Sequence, residues 1–175
     1  MKPGTSSKAT AARKKAKIKA SGPRWQLDIP DIGVLSTLLV LGDHHGDELP
    51  VPSLAEAGSA AWYGFTVTPG SPGNAVLVGH VDTYAEAGVF YDLYLLRPGD
   101  PVYMQMGGKR LRFAVASVQE VPKQQFPVDQ VFGPTTARRL WLITCGGDFD
   151  YTTRHYLDNI VISAVYQPTR HDEHQ

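Results

Sequence analysis

The stretch Leu140-Trp141-Leu142-Ile143-Thr144-Cys145-Gly146-Gly147 constrains this chain more than any other. An apolar run of β-forming residues delivers the only cysteine of the protein to the end of a predicted strand. The Gly146-Gly147 pair then allows a sharp turn that leaves the sulfur accessible. A thiol fixed by a strand and reached through a loop is well placed to act as a nucleophile.

The remaining pattern is of short strands broken by turn residues. Leu27, Ile29, Ile32 and Val34, punctuated by Pro30 and Gly33, suggest an edge strand entering a turn. Thr37–Leu41 is a short apolar run, and Ser53–Ala57 is a candidate short helix with Ser53 as N-cap and Glu56 three residues on. Ala75-Val76-Leu77-Val78 reads as a buried strand that ends at Gly79-His80-Val81-Asp82-Thr83. Phe90, Leu93 and Leu96 mark one apolar face of a short helical element. Val102–Met106 and Lys109–Val118 flank Gly107-Gly108 in the clearest hairpin of the chain, with Leu111, Phe113 and Val115 on one face. Pro122–Pro134 reads as an irregular crossover, and a last strand is predicted from Asn159 to about Tyr166. Many short strands with few helices indicate an antiparallel β-barrel or sandwich.

Charge divides the chain. Eight of the seventeen basic residues fall within the first 24 positions, where there is no acid, and the remainder carries nine basic and seventeen acidic residues, a balance of −8. Residues 1–24 are expected to form a disordered basic tail, either a leader or a segment meeting anionic lipid, and 168–175 a flexible C-terminal tail. The domain itself spans 25–167. Its acidic balance argues against a nucleic-acid partner. One cysteine excludes an internal disulfide and a multi-cysteine zinc site. No apolar run approaches the roughly 18–20 residues needed to span a bilayer, so an anchor, where one operates, is absent from this sequence. The segment Asp43-His44-His45-Gly46-Asp47-Glu48 carries possible ligands without an organising motif and reads as a solvated loop.

A thiol of ordinary pKa is only a few per cent thiolate near neutral pH, so a nucleophilic cysteine needs a proton partner. His80 qualifies, because it ends a buried strand beside a glycine, as Cys145 does. A developing oxyanion calls for a fixed cation, and Arg154 follows Cys145 shortly before the final strand. Composition leaves the plainer alternatives open: a buried structural cysteine, a capped histidine, and an arginine paired with Asp148 or Asp150.

The segments Val78-Gly79-His80-Val81-Asp82-Thr83 and Leu142-Ile143-Thr144-Cys145-Gly146-Gly147 resemble the histidine and cysteine signatures of the sortases, nearest to the actinobacterial class called F or E/F. Thr68-Pro69-Gly70, Phe90-Tyr91, Pro98-Gly99-Asp100 and His155-Tyr156-Leu157-Asp158-Asn159-Ile160-Val161 extend the resemblance over residues 25–167. It implies an all-β fold, a closed sortase-type β-barrel of about eight strands with one or two short helices. It also implies cleavage of an LPXTG-like sorting signal between Thr and Gly through a thioacyl-enzyme. The acyl group then passes to an amine, either a peptidoglycan stem peptide or a pilin lysine. By that pattern Cys145 is the nucleophile and His80 the general acid/base, while Thr144, Val81, Asp82, Thr83 and Gly146 contact substrate.

The family often places its arginine directly before the Asp-Asn that opens the last strand, and this chain has Leu157 there. Arg154 is therefore the expected replacement, ahead of Arg138 and Arg139. No cofactor or metal is expected, and the protein is expected to act as a monomer at the outer face of the cell membrane or wall. An L,D-transpeptidase would show a Ser-His-Gly-Cys type signature, which is absent, and a papain-like peptidase places its cysteine before its histidine. A β-barrel that kept the fold and became an interaction module is the non-enzymatic alternative.

Overall fold

Nine strands, given by a computed structural model that describes residues 24–42 and 49–169, form one sheet. The expected tails, apart from residues 24, 168 and 169, and the His44-His45 segment lie outside the described residues. In chain order the strands are β1 (Gln26–Ile29), β2 (Val34–Thr37), β3 (Leu39–Leu41), β4 (Ala61–Tyr63), β5 (Gly73–Val78), β6 (Pro101–Met106), β7 (Lys109–Pro122), β8 (Arg138–Asp150) and β9 (His155–Gln167). They lie in the order β2-β1-β6-β7-β9-β8-β5-β4-β3. The two marginal strands, β2 and β3, are consecutive in sequence and joined by Leu38 alone, whose N–H donates to the Trp25 carbonyl. That short link curls the sheet round until its margins meet, which is the all-β barrel expected.

Helical structure is sparse. One α-helix, α1 (Val128–Phe132), lies in the crossover between β7 and β8, and single 3₁₀ turns occur at Pro30–Ile32, Leu54–Glu56, Leu93–Leu95 and Lys123–Gln125. Phe90, Leu93 and Leu96 are all buried against the barrel interior, as their spacing predicts.

The apolar runs of β5 and β8 are continuous because both faces of these strands are covered. Ala75, Leu77, Leu140 and Leu142 join the interior core with Leu27, Phe113 and Ile162. Val76, Val78, Trp141 and Ile143 face the other way, into a second cluster completed by Tyr63, Val161 and Val131 of α1.

Three expectations are corrected. The sheet is mixed, since β3 pairs with β4 and β5 with β8 in parallel, because in each case a long crossover returns the chain in the same direction. The first strand is not an edge: β1 pairs with β2 on one side and β6 on the other. Gly146-Gly147 does not end its strand. Pairing runs past Gly146↔Asp158 to Phe149↔Tyr156, with Gly147 and Asp148 opposing Leu157 alone. Gly147, at φ 72°, absorbs the extra residue in the left-handed region, so a bulge replaces the turn. The hairpin at Gly107-Gly108 does turn as expected, both glycines having positive φ (56° and 80°).

Candidate active site

The parallel ladder between β5 and β8 runs from Gly73↔Arg138 to Val78↔Ile143. Two further bonds extend it: Gly79 N–H donates to the Ile143 carbonyl at 3.2 Å, and Thr144 Oγ1 donates to the Gly79 carbonyl at 2.7 Å. Carried one position further, the same register runs the backbone of His80, just past the end of β5, alongside that of Cys145 within β8. Along β8, Cys145 has the parity of Trp141 and Ile143, while His80 stands two residues past the end of β5. The topology thus brings alongside each other two segments that lie 65 residues apart in sequence.

His80 is held from two directions. Its carbonyl accepts from Phe90 N–H at 3.0 Å, and its ring Nε2 lies 2.6 Å from the carbonyl oxygen of buried Pro52. The loop that returns past it must carry Gly88, since a Cβ there would collide with the His80 carbonyl.

Cys145 is partly exposed and opens on a cavity of about 210 Å³. Thr144, Gly146, Val81, Tyr91, Tyr156 and Glu120 are among its walls. Of the expected substrate-contacting residues, Thr144, Gly146 and Val81 therefore line this space. Asp82 reaches it indirectly, accepting a 2.5 Å hydrogen bond from the Tyr156 hydroxyl. Thr83 instead caps the turn that follows, its hydroxyl accepting from the N–H groups of Ala85 and Glu86. His80 is not among the lining residues, so the imidazole stands at the neighbouring strand end and outside the cavity wall.

Neighbouring carboxylates act on two of the cavity's walls. The Asp82 carboxylate, followed by burial, pushes the Tyr156 hydroxyl up to about 12. Lost hydration, then a hydrogen bond with Asp158 and the charges of Asp158 and Asp148, holds Glu120 above its ordinary value. Among the described residues no group of histidine, cysteine and carboxylate side chains could hold a metal ion.

Against this geometry, the family model described as Sortase domain matches residues 27–167. The chain belongs to the sortase family. Sortases are cysteine transpeptidases, and this one has a single cysteine to offer. No curated protein matches it. Similar solved structures include sortase C-1 from Actinomyces oris, at 20% identity and TM-score 0.64, over 83% of this chain and 74% of that one. A Clostridium perfringens sortase D5 transpeptidase is 18% identical at TM-score 0.61, over 87% and 83% of the two chains. Sortase A from Corynebacterium diphtheriae is 17% identical at TM-score 0.62; the match covers 85% of this chain and spans 62% of the length of that one.

The arginines of this sortase are placed unlike its cysteine and histidine. Arg154 is exposed at the tip of the β8–β9 hairpin, with φ 59° and its N–H donating to the Asp150 carbonyl at 2.7 Å. It lies beyond the Asp150↔His155 pair, whereas Cys145 is opposite Asn159. Arg138 and Arg139 sit at the opposite end of β8, roughly 20 Å from Cys145 at about 3.3 Å per residue. Arg138 stacks there on Tyr166. Leu157 shares the parity of Asn159 and is half exposed, so the position where relatives often carry the cation stands on the cysteine's face of β9.

Sequence reasoning missed Tyr156, Glu120 and the Pro52 carbonyl. Tyr156 had a signal in its even spacing with Asp158 and Ile160, which gives it the inward parity of Ile160. The Pro52 contact had none, because a backbone carbonyl looks the same at every position in a sequence.

Proposed function

We propose that this chain is a sortase of the actinobacterial E/F type that cleaves an LPXTG-like sorting signal and transfers the acyl portion to an amine at the cell surface. The observation that supports the reading is the parallel β5–β8 ladder, extended through Gly79 and Thr144, which runs the segments of His80 and Cys145 side by side. The Cys145 thiolate attacks the threonine carbonyl carbon and a tetrahedral oxyanion forms. The C–N bond to glycine then breaks as the His80 imidazolium gives its proton to the departing amine, leaving a thioester. An incoming amine attacks that thioester while His80 takes up its proton, and the thiolate leaves. Thr144, Gly146 and Val81 border the peptide, and Asp82 shapes the cavity through Tyr156.

Arg154 is the cation this reading assigns to the oxyanion. It is the sole arginine on the hairpin beyond Cys145, and it acts when the hairpin tip folds over bound peptide. The acceptor is a peptidoglycan stem peptide or a pilin lysine, and the enzyme works as a monomer. One observation favours a second reading, a weakly active barrel serving as an interaction module: Leu157 occupies the cation's usual place. A fluorescent LPXTG peptide with hydroxylamine separates the two. The transpeptidase reading expects slow cleavage and hydroxamate formation; an intact peptide after prolonged incubation would leave the interaction module.

A further inference from the structure

We infer that the Pro52 carbonyl is the orienting member of the catalytic group, holding His80 as its Nε2–H tautomer and reserving Nδ1 for proton exchange with Cys145. The inference rests on the transpeptidase reading for the role of His80 and goes beyond it in saying which nitrogen works and why.

A backbone carbonyl oxygen accepts hydrogen bonds and cannot donate them. A 2.6 Å approach between Pro52 O and His80 Nε2 therefore requires a proton on Nε2. A neutral imidazole carries one ring proton, so Nδ1 holds the lone pair that can take a proton from sulfur or amine. On protonation the second proton goes to Nδ1, and the Nε2–H bond to Pro52 persists through the cycle. Nucleophile, base and a third group that fixes the base make a recurrent arrangement, and here a neutral carbonyl takes the place usually held by a carboxylate or carboxamide. No other hydrogen bond to the ring exists among the described residues.

The segment that presents this carbonyl is itself anchored. The Tyr63 hydroxyl donates to the Pro50 carbonyl at 2.8 Å. Pro52 is buried, and the 3₁₀ turn at Leu54–Glu56 begins two residues later, with Ser53 Oγ donating to Glu56 Oε2 at 2.7 Å. Just past that turn the Ala57 carbonyl accepts from Val89 N–H at 2.8 Å, tying the segment to the loop whose Phe90 N–H holds the His80 carbonyl. Backbone and ring of His80 are thus referenced to one unit. Pro52 acts through His80 and is a positioning residue.

The test is a long-range ¹H–¹⁵N correlation on the full chain without substrate, with the His80 signals assigned by their loss in His80→Gln. The inference expects a pyrrole-type shift at Nε2 and a pyridine-type shift at Nδ1. Pro52→Gly, with its fold checked by circular dichroism, should mix the tautomers and lower kcat about tenfold while KM for the peptide stays within about twofold. An Nδ1–H ring in the unaltered protein would overturn the inference, as would a Pro52→Gly variant with tautomer and kcat both unchanged. The two readings fail separately. An inactive protein with an Nε2–H ring sinks the transpeptidase reading alone, and an active one with an Nδ1–H ring sinks the tautomer assignment alone.

Discussion

The Thr144 hydroxyl donates to the Gly79 carbonyl at 2.7 Å, tying the residue before the thiol to the residue before the imidazole. Thr144 is buried, so Thr144→Val keeps the shape and leaves a carbonyl unpaired. That should cost about 1 to 3 kcal/mol in urea unfolding. Because the bond ties the segment of His80 to β8 next to Cys145, kcat should fall more than KM rises, and Thr144→Ser should recover most of both. A Thr144→Val enzyme with unchanged kcat would show that the bond does not align the pair.

Gly147 holds the bulge that carries β8 past the cysteine, and a Cβ there would meet the Asp158 carboxylate as well as an unfavourable φ of 72°. Gly147→Ala should lower stability by about 1 to 2 kcal/mol from the backbone conformation alone. Turnover should fall with it, since Cys145 lies two residues away. A variant of undiminished melting temperature would contradict the bulge.

These features show where the sequence was readable. The β5 and β8 runs, the Gly107-Gly108 hairpin and the helical face of Phe90, Leu93 and Leu96 each announce themselves within a few residues, because side-chain periodicity and turn chemistry are local. The parallel partnership of β5 with β8 is not local, so its register came only from the fold. Gly146-Gly147 read as a turn because glycine pairs suit both turns and bulges, and pairing with β9 decides between them. His80 was legible as a residue just past a strand end, whereas Cys145 lies within β8 and not at its end. The tyrosine and carbonyl that complete their surroundings depend on contacts 74 and 28 residues apart.

The Tyr156–Asp82 bond sets an alkaline limit. Tyr156 is raised to about 12 in the folded state, whereas an unfolded tyrosine titrates near 10. The unfolded chain therefore loses this proton first, and the contribution of Tyr156, complete below pH about 10, disappears as pH rises towards 12. Unfolding free energies measured at several pH values should fall less steeply over this window in Tyr156→Phe than in the parent. Parallel curves would remove the bond from the account.

The arginine assignment has its own test. Arg154→Ala should reduce turnover about tenfold or more, whereas Arg138→Ala, at the far end of β8, should have little effect. Leu157 is half exposed on the cysteine's face of β9, so Leu157→Arg should fold and should raise kcat in the Arg154→Ala background. Equal losses at 154 and 138 would take Arg154 out of the site.

The most direct measurement is the intact mass of the protein incubated with an LPXTG peptide in the absence of an acceptor amine. A population heavier by the peptide through its threonine, mapped to Cys145, discharged by hydroxylamine and missing from Cys145→Ala, is the expected result. No adduct under any condition, or the same adduct on Cys145→Ala, would contradict the central claim that the sulfur at the end of this ladder is the nucleophile.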